Sequence, residues 1–146
     1  SWATEFTSHK KEGGEIAMRE ILFRGKRLDN GEWVYGYYVY VPNHWHRQEH
    51  LIQPVAEDGR LATLRKVDPK TVGQFTGKID KNGKRIFEGD ICRVYDLIYK
   101  VEFNYSLWEF VILSEKVYCK PFFDSYCGDR CEIIGNIYDN PELLEG

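Results

Sequence analysis

Read along the chain, apolar positions fall in short runs separated by turn signals, and no run has the three-to-four-residue spacing of a long amphipathic helix. Ile21 and Phe23 open an alternating stretch that ends at Asp29-Asn30-Gly31, where Asn-Gly supplies the positive φ of a tight turn. The next run, Trp33 to Val41 (WVYGYYVYV), is almost wholly aromatic or β-branched. On a strand, Trp33, Tyr35, Tyr37, Val39 and Val41 share one face and Val34, Tyr38 and Tyr40 the other, so both faces are apolar or amphipathic. Short strands are predicted at Leu51–Pro54 and Leu61–Leu64 around Glu57-Asp58-Gly59, and again at Val72–Thr76. Asp68-Pro69 predicts a single helical turn. Beyond the second strong turn, Asp80-Lys81-Asn82-Gly83, strands are predicted at Ile91–Tyr95, Ile98–Phe103, Trp108–Leu113 and Cys131–Tyr138. Asn104-Tyr105-Ser106 reads as a hairpin, and Asn140-Pro141-Glu142 as a capped helical turn, with Asn at the cap and Pro at the first position.

Many short strands with closely spaced turns predict a mostly β protein, a small barrel or roll. Residues 1–17 lack periodicity and precede the single methionine, Met18. They are read as a flexible leader or an appended remnant. The expected division is an N-terminal β region over 18–66 and a barrel region over 67–146, or one compact unit over 18–146. Composition changes this picture little. Hydrophobic residues are 42% and charged residues 29% of 146, near globular averages, which excludes wholesale disorder. Four Trp, ten Tyr and eight Phe reinforce the β expectation. No apolar run reaches the roughly 20 residues of a membrane helix, so no membrane association is expected.

Charge adds an asymmetry that the net value of −3 conceals. Segment 59–85 holds eight basic residues (Arg60, Arg65, Lys66, Lys70, Lys78, Lys81, Lys84, Arg85) against Asp68 and Asp80, whereas 86–146 holds five basic and twelve acidic. A basic segment is a candidate footprint for a phosphate backbone; it is also what a lysine-rich, turn-rich surface looks like. Cys92, Cys119, Cys127 and Cys131 include the spacing Cys127-x3-Cys131, which zinc tolerates. The other ligands would have to come from Cys119 and a distant His44, His46 or His50, and no second close pair exists. Cys92 and Cys119 are therefore read as small buried hydrophobes and Cys127 and Cys131 as flanking a turn, with no metal or other cofactor expected. His44, His46 and His50 share no single helix or strand face, so they read as loop, and Trp45 among them is the better interaction candidate. The phosphate loop, the GxSxG elbow and HExxH are all missing; in His46-Arg47-Gln48-Glu49-His50 the acid stands in the wrong place. No catalytic residue is nominated, and the chain is expected not to be an enzyme.

Three stretches together resemble a known family. They are Met18-Arg19-Glu20-Ile21-Leu22-Phe23-Arg24-Gly25-Lys26; the central Val72 to Ile91 (VGQFTGKIDKNGKRIFEGDI); and Ile134 to Leu144 (IGNIYDNPELL). In this order they look like the YopX-like proteins of phages and prophages in low-GC Gram-positive bacteria. The resemblance implies a mostly β fold with a small SH3-like barrel carried by the central stretch, to which the residue pattern adds an N-terminal β subdomain and a short C-terminal helical turn. It also implies a gene expressed in a bacterial cytoplasm. It implies no activity, cofactor or functional residue.

The central stretch has its own physical reading. Gly77, Gly83 and Gly89 stand where turns need them, and Thr76, Asp80 and Asp90 can bond nearby backbone. It either builds a turn-and-strand frame or presents Gln74, Thr76, Lys78 and Lys81 to a ligand. The functional expectation is a non-enzymatic module that binds a host or phage protein. The alternative is a nucleic-acid-binding barrel using 59–85. A homo-oligomer is expected from the aromatic strand, an edge liability unless paired.

Overall fold

The computed structural model describes residues 19–42, 48–56, 58–107, 109–114, 117–121 and 130–145. The leader over 1–17 and the expectations placed on His44, Trp45, His46, Trp108 and Cys127 lie outside them. The described residues are mostly β, in two antiparallel sheets. The chain forms two compact units, the first ending at Gly77 and the second starting at Lys78.

The first unit contains β1 (Phe23–Lys26), β2 (Trp33–Val41), β3 (Glu49–Pro54), β4 (Arg65–Lys66) and most of β5 (Gly73–Ile79), ordered β4-β3-β2-β1-β5. β1 and β2 form a hairpin with Phe23 opposite Gly36 and Lys26 opposite Trp33. Its turn is held as the Asn-Gly signal predicts: the Asn30 side chain accepts the Glu32 N–H at 2.9 Å, and Gly31 takes φ +72°. Arg24 is buried over the Trp33 ring, its guanidinium carbon 4.6 Å from the centroid, so the cation is stacked on an indole instead of left in solvent. β2 and β3 pair over six positions, from Gly36 opposite Pro54 to Val41 opposite Glu49. Among the described residues, Leu22, Leu51, Ile52, Val67 and Phe75 are the buried apolar side chains of this unit. Between β4 and β5, a 3-10 turn at Pro69–Thr71 is capped by Asp68, whose carboxylate accepts the Lys70 N–H, as Asp68-Pro69 predicts.

β5 crosses into the second unit and turns back as β6 (Arg85–Phe87). There follow β7 (Asp90–Val94), β8 (Leu97–Asn104), β9 (Glu109–Ser114), β10 (Val117–Pro121) and β11 (Glu132–Asn136), in the order β10-β9-β8-β7-β11. Strands β7 to β10 form a meander, and β11 returns to the free edge of β7. These open sheets make a small barrel or roll, the predicted fold class. Its core is Ile86, Cys92, Val94, Tyr99, Val101 and Ile112, joined by Phe110, on which Phe103 packs edge-on with centroids 5.2 Å apart.

Two local expectations need correcting. Leu61–Leu64 is not a strand: Leu61 makes one bridge to Val55, and pairing resumes only at Arg65–Lys66, opposite Ile52 and Leu51. Leu61 and Leu64 are 70% and 45% exposed, so this apolar pair has no core to enter. The final strand ends at Asn136, not Tyr138, because the Asn136 side-chain oxygen accepts the N–H groups of Tyr138 and Asp139 and turns the chain.

Gly36 shows how closely the β2 and β3 backbones approach. A Cβ there would lie 2.0 Å from the Gln53 carbonyl oxygen, a backbone atom with no rotamer to yield. Gly36→Ala is expected to cost about 3 kcal/mol, at the upper end of overpacking penalties. Gly31→Ala meets no atom and bears only the strain of its positive φ. Urea unfolding of the two variants beside the wild type measures the difference, and Gly36→Ala should have the lower midpoint.

Candidate interaction surfaces

The central stretch builds a frame. Asp80 is 4% exposed, and its carboxylate gathers three backbone donors. Oδ1 accepts the N–H groups of Asn82 (2.8 Å) and Lys84 (2.9 Å), closing the Lys81-Asn82-Gly83 turn. Oδ2 accepts the N–H of Ile133 at 3.1 Å, in β11. Beside it the Lys81 N–H donates to the Cys131 carbonyl at 2.9 Å. Asp90 repeats the device, its Oδ2 accepting the Phe87 N–H at 2.8 Å across a turn in which Gly89 has φ +87°. Gly89 then donates to Val101 and accepts from Ile137, each at 2.8 Å. The central and C-terminal stretches are thus one hydrogen-bonded unit.

The Asn140 side chain differs from expectation. It makes no capping bond to the 3-10 turn Pro141–Leu144. Its oxygen instead accepts the Asn136 N–H at 3.2 Å, and a Cβ on Gly135 would lie 2.5 Å from it. The carboxamide turns back toward β11 and satisfies a strand-end N–H there.

Gln74, Thr76, Lys78 and Lys81 are differently placed. Thr76 is buried, Gln74 half-buried, Lys78 exposed, and the Lys81 ammonium lies 3.3 Å from Glu132. The basic segment is divided as well. Arg60, Arg65, Lys66 and Lys70 belong to the first unit and Lys78, Lys81, Lys84 and Arg85 to the second. Arg60 pairs with Asp58 at 3.3 Å, Lys66 with Glu49 at 3.0 Å, and Arg85 is 8% exposed.

Along β2, exposure changes with position more than with face. Trp33 to Tyr35 are half-buried and Gly36 is buried, while Tyr37, Tyr40 and Val41 are 51%, 45% and 41% exposed. The register puts Tyr38, Tyr40, His50 and Ile52 on one side and Tyr37, Val41 and Leu51 on the other. Tyr38 packs on Phe23 with centroids 5.3 Å apart, and its hydroxyl bonds His50 Nδ1. Burial pushes the Tyr38 phenol above its ordinary value, with the neighbouring Tyr40 adding to the shift, so the hydroxyl keeps its proton at neutral pH. Tyr40 leans on His50 from the other side, centroids 5.0 Å apart. The hairpin end is a rigid aromatic cluster with tyrosines showing on both faces.

Cys92 and Cys131, neither in a disulfide, are both buried in the second core. Among the described residues, no group of three or more His, Cys, Asp or Glu is placed to hold a metal. No helix among them is long and apolar enough to cross a membrane.

A family model described as YopX protein matches residues 22–145. The chain belongs to the YopX family. The match takes in Leu22 to Lys26 of the first stretch and the whole of the central and C-terminal stretches, and with them the Asp80 frame. No match was found among curated proteins. Among solved structures, the chain is similar to protein EF1440 from Enterococcus faecalis, at 20% identity and a TM-score of 0.54, over 88% of this chain and 100% of that one. At this identity the likeness shows the fold. For this YopX protein, Asp80→Ala should cost about 3 kcal/mol, because it orphans the partly buried Ile133 N–H and opens the turn at once. Asp58→Ala, at an exposed site, should cost under about 0.5 kcal/mol. Chemical denaturation followed by Tyr and Trp fluorescence measures both.

Proposed function

We propose that the chain is a non-enzymatic binding module whose partner is a host or phage protein, held by the exposed end of the β2–β3 hairpin. The carrying observation is the exposed end of β2, where Tyr40 leans on His50, itself bonded to Tyr38, on one face and Tyr37 and Val41 are exposed on the other. Tyrosine presents a large contact area with only two side-chain torsions to freeze. Here Tyr38 and Tyr40 are further restrained by Phe23 and His50, so little entropy is lost on docking. The rim carries the Glu49–Lys66 ion pair, which fits the polar border of a protein interface better than a phosphate track. Nucleic-acid binding through 59–85 is the weaker reading. Those cations are divided between two units, three are matched by carboxylates and one is buried. The setting is the cytoplasm of a bacterium carrying the gene in a phage or prophage, as the family resemblance implies, and self-association through the same aromatic end belongs to this reading.

The test is a pull-down from host lysate with wild type and Tyr37→Ser/Tyr40→Ser, each with and without nuclease. Any recovered protein is then purified and titrated against both forms. The expected result is a protein bound directly, unaffected by nuclease, whose affinity falls at least about tenfold in the double variant. Equal affinity for both forms, or recovery of nucleic acid alone with loss on raising salt, overturns the proposal.

A further inference from the structure

The two faces of the exposed hairpin end differ in charge, and the strand register sets the difference. Ile52 stands opposite Arg65 and Leu51 opposite Lys66, so β4 sends its two cations to opposite faces. Lys66 joins the face of Tyr37 and Val41, where Glu49 meets it at 3.0 Å. Arg65 joins the face of Tyr38, Tyr40, His50 and Ile52. Because Arg65 lies opposite Ile52, it is the diagonal neighbour of His50 across the β3–β4 pair, within reach of long side chains.

The chemistry of the Tyr40 face is one-sided. From Trp33 to Pro54 the sequence holds one carboxylate, Glu49, and the register assigns it to the other face. The Tyr40 face offers donors instead. With the Tyr38 hydroxyl donating to His50 Nδ1, the neutral ring carries its own proton on Nε2, which makes that nitrogen a donor too. Tyr40, 45% exposed, leans on the same imidazole. Arg65 is half-buried, where a guanidinium is screened less than on open surface. A phenol ring, an imidazole N–H and a guanidinium therefore share one side of three neighbouring strands.

We infer that the Tyr40 face is the one that docks, and that the partner meets it with an acidic segment: carboxylates toward Arg65 and His50, an apolar side chain against Tyr40. This rests on the aromatic end being a protein-docking site and names the partner's chemistry there. Carboxylates suit both donors, since a guanidinium fork takes two oxygens and an imidazole N–H takes one. A phosphate backbone suits them less. It repeats its charge along the strand and is held by a row of cations. Among the described residues of β2, β3 and β4, this face has Arg65 and His50 alone, because Lys66 is turned to the other side. The same asymmetry disfavours a basic partner, which would meet Arg65 with no carboxylate of these strands on that face.

The test titrates the full chain with capped hexapeptides that alternate leucine with glutamate, glutamine or lysine, and with a thymidine hexanucleotide, followed by amide NMR shifts. The glutamate peptide is expected to move the amides of Tyr40, His50 and Arg65 and to bind at least about tenfold more tightly than the other three probes. Arg65→Gln and Tyr40→Ser should each weaken it about fivefold or more. Lys66→Gln and Tyr37→Ser, on the other face, should leave it unchanged. No shifts at about 10 mM glutamate peptide overturn the inference. So does equal binding of the glutamine peptide or the oligonucleotide, wild-type affinity in Arg65→Gln, or an equal loss in Tyr37→Ser. The same single variants are then titrated with the protein purified from the pull-down. Loss in Tyr37→Ser with none in Tyr40→Ser or Arg65→Gln overturns this inference and leaves the protein-docking reading standing. No loss in Tyr37→Ser/Tyr40→Ser overturns that reading itself.

Discussion

The second unit depends on one carboxylate. Asp80 is nearly inaccessible, and a buried anion is costly unless donors surround it. Three backbone N–H groups do so, two from its own turn and one from β11. The local bonds shape the turn that sends β5 back as β6. The distant bond fixes where β11 starts, so the strand that covers the edge of β7 is placed in register by the first turn of the unit. Asp90, Gly89 and the Asn136–Asn140 pair extend the same logic along β11, each spending a short polar side chain or a glycine on backbone groups that would otherwise lack partners. The YopX signature read this way is a set of backbone-satisfying residues around a two-ended clamp.

That explains what the sequence shows readily and what it hides. Asp29-Asn30-Gly31 and Asp80-Lys81-Asn82-Gly83 are legible as turns because their bonds span two to four residues and follow from side-chain chemistry alone. The Asp68 cap and the aromatic run of β2 are legible for the same local reason. The bond from Asp80 to Ile133 spans 53 residues, and nothing in either segment names the other. Leu61 and Leu64 look like strand residues by composition, yet the pairing falls on Arg65–Lys66, because backbone pairing with β3 decides and not local apolarity. Asn140 is recognisable as a cap residue, but its oxygen turns back to the Asn136 N–H, a partner set by where β11 ends.

Candidate surfaces follow the same rule. The aromatic strand is evident from the sequence, but the split between its half-buried start and exposed end depends on what packs beside each position. The meeting of the β1–β2 turn with β4 is harder still to foresee: the Leu28 N–H reaches the Lys66 carbonyl beside the bridge of Arg27 to Val67. In the sequence Arg65-Lys66 is two charges in a long basic segment. The fold separates the two, setting Lys66 beside Glu49 and Arg65 opposite Ile52.

The return of β11 to the edge of β7 also bears on how the chain is made. Synthesis proceeds from the amino end, so the strands of the first unit are all available once β5 has emerged, and their pairings need no later residue. The second unit cannot close at that stage: the Asp80 carboxylate and the edge of β7 wait for a segment some fifty residues downstream, and ordering so long a loop is entropically expensive. A chain synthesised only as far as β10 thus holds every strand of the first unit while the second is one strand short. Until β11 is in place, the edge of β7 offers unpaired backbone groups with which a neighbouring chain can pair.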